Sequence, residues 1–284
     1  MIGDARTAEL AGWIASWRPD CSGAPLQRLR GDAGQRRYFR VNAGRDTLVA
    51  VDAPPATEDT PRFLAIRERL QRGGVRVPAL HAADAPRGFL LLEDLGESLM
   101  LDVLATGAGP GLEQVALATL ADLHRVSPTG MPAYTAALLG EEFDRCAAWF
   151  IERLLGLAPS ARGEEALAAL RKALLDSALE QPSVFVHRDF HSRNLMRLDD
   201  GSLAVIDFQD AVAGPVTYDL VSLLRDCYWY RAPAAVAAHA EAFRAAHWPG
   251  IAAGTWQRWL DWMGLQRHIK VLGTFARLSL RDGR

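Results

Sequence analysis

The chain almost lacks lysine. Of its 32 basic residues, only Lys172 and Lys270 are lysines. A GC-rich genome accounts for that bias without any function, but it means that a cation needed in the first third must be an arginine. Cysteine is scarce too. Cys21, Cys146 and Cys227 are far apart and odd in number, which excludes a disulfide framework and offers no zinc or redox spacing. Isolated thiols suit a reducing compartment. No run of about 18 uncharged apolar residues is present, which argues against a membrane span. The opening MIGDARTAELAGWIASW has no basic segment before an apolar core, so it does not read as a secretory signal. A formal net charge of −2 shows no basic excess for nucleic acid or an anionic membrane. No repeat and no low-complexity tract occurs. These absences leave a cytoplasmic globular protein, expected as a monomer, whose 284 residues suit one two-lobed enzyme or two small domains.

What is present is ordered in two parts. Residues 4–18 place Leu10, Trp13, Ile14 and Trp17 at helical spacing. Short β-type runs follow at Leu26–Arg30, Arg37–Asn42 and Thr47–Asp52, the last two joined by Ala43-Gly44-Arg45-Asp46. Asp52-Ala53-Pro54-Pro55 ends the third. A helix over Glu58–Arg72 stops at Gly73-Gly74. Val75–His81 leads to a turn, Asp84–Gly88, and Phe89–Leu92 is an apolar strand. From Leu99 the pattern is helical, clearest over Leu112–Val126, Phe143–Leu155 and Glu164–Leu179. Val184–Asp210 reads as short strands and loops, and Tyr218–Leu280 is helical and rich in tryptophan. The expected fold is α+β and two-lobed: an antiparallel β-rich lobe over 1–95 and a larger helical lobe over 96–284.

The chemistry is concentrated between two apolar runs. Val184-Phe185-Val186 precedes His187-Arg188-Asp189-Phe190-His191-Ser192-Arg193-Asn194, and Leu203-Ala204-Val205-Ile206 ends at Asp207-Phe208. The pattern is H-x-D-x-x-x-x-N followed by an Asp that closes a strand. Phosphoryl transfer needs a carboxylate to orient the attacking hydroxyl and accept its proton, which suits Asp189. It needs hard oxygen ligands for Mg²⁺, which suits Asn194 and Asp207. His187 reads as a brace for the loop. Each of these residues alone would be an ordinary turn residue; their order and spacing together point to ATP and Mg²⁺ chemistry. A metal-hydrolase set of His187, Asp189 and His191 is the rival reading.

His187–Asn194, with Val205–Asp210 and Gly214–Leu220, resembles the aminoglycoside phosphotransferase and choline kinase superfamily. The resemblance implies a protein-kinase-like fold and a supporting rather than catalytic Asp219. Gly31–Arg40, Asp52–Pro55, Leu220–Tyr228 and Gly264–Leu278 resemble one subgroup more closely, the bacterial N-acetylmuramate/N-acetylglucosamine kinases. That subgroup implies phosphorylation of the C1 hydroxyl of a small sugar in cell-wall recycling. An aminoglycoside, choline or homoserine kinase is the alternative within the superfamily, and a non-catalytic nucleotide-binding module the alternative outside it. The resemblance also implies that further residues are usual beyond Arg281-Asp282-Gly283-Arg284.

For the nucleotide, Gly31, Asp32, Ala33 and Gly34 form a small-residue turn whose backbone N–H groups could approach phosphates. Glu93 and Leu95 lie on the expected linker, where backbone groups could meet adenine. Kinases place a lysine on the third strand, but Thr47–Asp52 has none; Arg37 and Arg40 are the nearest substitutes, or else members of a solvated strand face. For the acceptor, His191, Arg225, Asp226 and Arg267 are candidates. Trp229 and Tyr230 beside Asp226 read as helix packing or as an aromatic sugar wall. Arg267, His268 and Lys270 read as an exposed helix face or, if turned inward, as partners for a carboxylate on the acceptor. Trp256, Trp259 and Trp262 read as core.

Overall fold

A computed structural model describes residues 5–29, 35–44, 46–107, 109 and 111–283. The chain divides into two compact units, Met1–Ser98 with Met196–Gln209, and Leu99–Leu195 with Asp210–Arg284.

The first unit is built on one antiparallel sheet. Its strands are β1 (Gln27–Arg28), β2 (Arg37–Ala43), β3 (Asp46–Asp52), β4 (Leu80–Asp84) and β5 (Phe89–Glu93), in the order β1-β2-β3-β5-β4. In β2 the period of two buries Phe39, Val41 and Ala43 on one face. With Leu48, Ala50, Phe89 and Leu91 they form a core against Leu10, Trp13 and Ile14 of helix α1 (Ala5–Trp17). Burying those three side chains contributes roughly 1.5–3 kcal/mol each. That holds a helix whose length alone would leave it marginal in water. Trp17, expected on the same face, is 55% exposed; it is the last residue of α1, where the chain turns away at Arg18-Pro19.

Helix α2 (Thr60–Arg72) starts two residues later than the sequence pattern suggests. Asp59 caps it by accepting the Arg62 N–H at 2.9 Å, and Pro61 follows at the start of the first turn. Gly88, with φ 72°, has to be glycine: a Cβ there would lie 1.8 Å from the Ala53 carbonyl oxygen. Strand β4 begins at Leu80 and takes up Asp84, which the sequence pattern had assigned to the turn.

The second unit is mostly helical: α3 (Met100–Ala105), α4 (Leu112–Arg125), α5 (Ala136–Cys146), α6 (Ala161–Leu179), then after the loop segment α7 (Tyr218–Leu224), α8 (Pro233–His247) and α9 (Ala253–Asp282). Helix α5 starts before the expected Phe143, because Thr135 caps it by accepting the Leu138 N–H. It continues as a π-helical stretch, Ala147–Leu154. Trp256 and Trp259 are buried as expected. Where α9 crosses α5, a Cβ on Gly273 would lie 2.6 Å from the Cys146 backbone nitrogen. The strand β6 (Ser183–Val186) pairs antiparallel with β9 (Val212–Pro215). A hairpin of β7 (Leu195–Arg197) and β8 (Leu203–Val205) is counted with the first unit from Met196 on. Among the described residues, no helix is long and apolar enough to cross a membrane.

Candidate active site

The loop after β6 is held from behind by two carboxylates, one at each end of α7. Asp219 accepts the His187 N–H at 2.6 Å and the Arg188 N–H at 3.1 Å. Asp226 accepts the Ser192 N–H at 2.9 Å, the Ser192 hydroxyl at 2.6 Å and the Tyr228 N–H at 2.8 Å. Asp219 is fully buried, and burial pushes its carboxyl up to about 6 against the opposing pull of His187. Between the clamps Arg188 takes a left-handed φ of 77°, a conformation that a non-glycine residue keeps only where its surroundings enforce it. His187 is fully buried and its Nδ1 accepts the Asp189 N–H at 3.3 Å. Asn194 donates from Nδ2 to the Asp189 carbonyl at 2.9 Å. The loop is thereby fixed on both sides of Asp189.

The Asp189 side chain, 43% exposed, meets Lys270 of α9, whose Nζ lies 3.5 Å from Oδ1. Lys270 also donates to the Tyr218 hydroxyl at 3.0 Å and lies 3.7 Å from Glu142 Oε1. Glu142 is fully buried; it accepts from Arg188 Nη2 at 2.7 Å and from the Tyr134 hydroxyl. One buried carboxylate, one half-exposed carboxylate and two phenols thus surround one ammonium and one guanidinium. Burial pushes the Asp189 carboxyl up, but the Lys270 ammonium, helped by His191 and Arg267, outweighs it and holds the group well below the usual carboxylate range. Burial likewise lowers Lys270, and Asp189, Tyr218 and Glu142 more than reverse it. The pair is charged on both sides at neutral pH.

In the first unit Asp207 is exposed, has φ 62° and accepts from Gln209 Nε2 at 2.7 Å. The next residue, Phe208, is buried with its ring 5.0 Å from that of Phe63 in α2. On Phe63 also lies the Arg36 guanidinium, 5.2 Å from the ring centroid. Arg36 Nη2 pairs with Glu58 Oε2 at 3.0 Å, and the arginine side chain is only 7% exposed. Burial pushes the Tyr38 phenol up to about 12, and it feels Arg36, Asp207 and Glu58 together. Arg36 and Glu58 were not singled out from the sequence. The signal was available in the period of β2, which sets Arg36, Tyr38 and Arg40 on the face opposite Arg37, Phe39 and Val41.

Residues 25–258 match the model of a family described as the phosphotransferase enzyme family, APH. The chain belongs to that family. Along its full length this phosphotransferase is 40% identical to a Pseudomonas aeruginosa protein named N-acetylmuramate/N-acetylglucosamine kinase, covering 88% of it. A Pseudomonas putida protein of the same name is 37% identical over 99% of this chain and 87% of its own. Among solved structures, Plasmodium vivax ethanolamine kinase superposes with a TM-score of 0.68 at 13% identity, over 97% of this chain and 82% of that one. The GDP complex of aminoglycoside 2'-phosphotransferase-IIIa gives 0.63 at 17% identity, over 97% and 93%. These similarities establish the kinase-like α+β fold, and the family establishes that its members are nucleotide-using phosphotransferases.

The remaining candidates of the phosphotransferase fall as follows. Gly31, Asp32, Ala33 and Gly34 lie outside the described residues. Arg37 shares the core face of β2 and its Nε donates to Asp52 at 3.0 Å, directly across the strand pair. Asp52 is fully buried and also accepts from Arg6 Nε at 3.0 Å. Phosphate binding by Arg37 would have to compete with that ion pair. Arg40 forks onto Asp94 at 2.6 and 3.1 Å and also meets Glu97. Glu93 pairs with Arg76 at 2.5 and 2.8 Å and accepts the Ala79 N–H; Leu95 is half-buried. His191 is buried with its ring 5.3 Å from Tyr228. Arg225 pairs with Asp261. The carboxylate of Asp226 is engaged by the loop. The expected exposed helix face at Arg267 is corrected: that residue is 2% exposed. Among the described residues no three His, Cys, Asp or Glu side chains group as a metal site, so His187, Asp189 and His191 do not form the rival zinc set. Asn194 and Asp207 each carry a hard side-chain oxygen, the donor type that Mg²⁺ takes.

Proposed function

We propose that this phosphotransferase moves the γ-phosphoryl group of ATP onto the anomeric C1 hydroxyl of N-acetylmuramate or N-acetylglucosamine. The observation that carries the reading is the Asp189 carboxylate held by Lys270 on a doubly clamped loop. Support for the acceptor comes from the names of the relatives at 40% and 37% identity. Asp189 accepts the hydrogen bond of the C1 hydroxyl and aims its oxygen at phosphorus. Its low basicity fits a loose transition state, in which the hydroxyl proton passes to the carboxylate only as the new P–O bond forms and the bond to ADP breaks. Asn194 and Asp207 would hold Mg²⁺, which supplies neutralisation of the phosphate charge.

In place of the missing strand lysine, Arg36 is the phosphate-holding cation, with Glu58 as its partner. Its support is its place on the Tyr38 face, near the charge of Asp207. Glu93–Gly96 meets the adenine. Cell-wall recycling in the cytoplasm is the setting that this acceptor implies. The test is ATP consumption with Mg²⁺ against N-acetylmuramate, N-acetylglucosamine, choline and kanamycin, with Asp189→Asn as control. Turnover of kanamycin or choline and of neither sugar would overturn the acceptor. Turnover of the methyl glycoside, in which C1 is blocked, would overturn the site of transfer.

A further inference from the structure

Helix α9 turns two cations inward one turn apart, and they are in different states. Lys270 has its three acceptors. Arg267 is 2% exposed, yet among the described residues its Nε and Nη1 have no hydrogen-bond partner; the guanidinium hydrogen-bonds the sulfur of Cys227. A buried guanidinium with idle N–H groups is costly to keep, because each lost bond to water is not replaced. Close by, His191 is 9% exposed and its Nδ1 also lacks a partner. The charge of Arg267 acts on Asp189, His191 and Tyr218 alike, so it stands in the neighbourhood of the carboxylate that receives the acceptor hydroxyl. Arg188, Arg225 and Arg231, further arginines of this unit, have carboxylate partners in Glu142, Asp261 and Glu113.

We propose that Arg267, with His191 beside it, is the binding site for a carboxylate carried by the acceptor. This rests on the sugar kinase reading above. A guanidinium grips a carboxylate through a parallel pair, Nε with Nη2 or Nη1 with Nη2; the idle Nε and Nη1 of Arg267 lie on different edges, so each offers a carboxylate oxygen one hydrogen bond and completes a fork only together with Nη2. N-acetylmuramate carries a lactyl carboxylate and N-acetylglucosamine does not, so Arg267 sets the preference between two acceptors with the same reacting hydroxyl. A residue kept for a ligand in this way weighs on the ligand-free protein.

The two sugars separate the possibilities. With ATP and Mg²⁺, Arg267→Met should lower kcat/KM for N-acetylmuramate about 10- to 100-fold more than for N-acetylglucosamine, the extra loss falling on KM; the loss shared by both sugars falls on kcat, through the charge that Arg267 exerts on Asp189. Arg267→Lys should recover part of the loss. The melting temperature of ligand-free Arg267→Met should stay level or rise, since an unpaired buried charge is removed. Binding of each sugar to the nucleotide-free protein, read by calorimetry, is judged apart from turnover. Turnover of neither sugar by the wild type sinks the kinase assignment. Equal affinity of the wild type for both sugars sinks the Arg267 site, as does a preference for N-acetylmuramate that survives in Arg267→Met. A lower melting temperature with equal losses on both sugars would make Arg267 a packing residue, and that too overturns the proposal.

Discussion

Two clusters of basic residues look alike in the sequence and are treated oppositely by the fold. Arg36, Arg37 and Arg40 sit on or beside a strand; Arg267, His268 and Lys270 sit on a helix. On the strand, the period of two sends Arg37 to the core face, where the buried Asp52 neutralises it, and Arg36 and Arg40 to the other. On the helix, the spacing of three brings Arg267 and Lys270 onto one inward face and leaves His268 exposed. The lesson is that which neighbour a cation can find is decided by local periodicity before any ligand is considered. The strand cluster is dominated by structural pairs; the helix cluster surrounds the half-exposed Asp189 carboxylate.

The strongest way to break this contrast is Asp189→Asn. Losing the carboxylate that the helix cations surround should lower kcat about 10²- to 10⁴-fold, with a modest fall in melting temperature at neutral pH because Lys270 loses a partner; appreciable residual turnover in steady-state assays would remove the reason for the cluster. Next is Lys270→Met, which leaves Asp189 and the buried Glu142 short of a cation. Stability in urea titrations should fall by about 2–3 kcal/mol, and kcat by about 10-fold or more. Lys270→Arg should not restore kcat, because a planar fork cannot take the place of an ammonium between three acceptors.

The strand pair gives the sharper comparison at lower magnitude. Arg37→Met should cost about 2 kcal/mol of stability, discounted for its partial exposure, and leave KM for ATP within about 2-fold. Arg36→Met should raise KM for ATP about 10-fold and, since it too breaks a mostly buried ion pair, cost a similar amount of stability. Exchanged effects on KM would refute the sorting by strand face. The smallest effect is a control remote from both clusters. Burial pushes His124, packed on Phe243 and Trp248, down to about 3. Its folded value lies below the unfolded 6.5, so the stability it confers is complete above pH 6.5 and is lost as pH falls toward 3. His124→Phe should therefore remove about 2 kcal/mol of the stability difference between pH 7 and pH 5 in urea titrations.

The loop chemistry was legible because it is local: H-x-D-x-x-x-x-N between two apolar runs specifies a strand, a turn and a strand, and the structure shows Val184, Phe185 and Val186 buried ahead of it. In the first unit β2 was legible from its alternation and β5 from its apolar run, whereas β4 begins only at Leu80, near the end of the Val75–His81 segment. What could not be read was pairing at a distance. Nothing near Arg37 in the chain announces Asp52 as its partner, and nothing near Asp226 announces Ser192. The burial of Arg267 was hidden for the same reason: a helix 30 residues long, with polar residues spread around it, shows no single apolar stripe from which to tell its inner face. Arg36 was missed because residue type was weighed before face.

Gly273 lies one turn beyond Lys270 on α9, against the Cys146 backbone. Its missing methyl group governs how closely two rods can lie, and hence how far into the protein the side chains just before it extend. A single added carbon would lever the whole rod outward, and the ammonium at 270 would be drawn back from its carboxylate without any charged residue having been altered. The reach of that charge is thus governed by an atom that is not there.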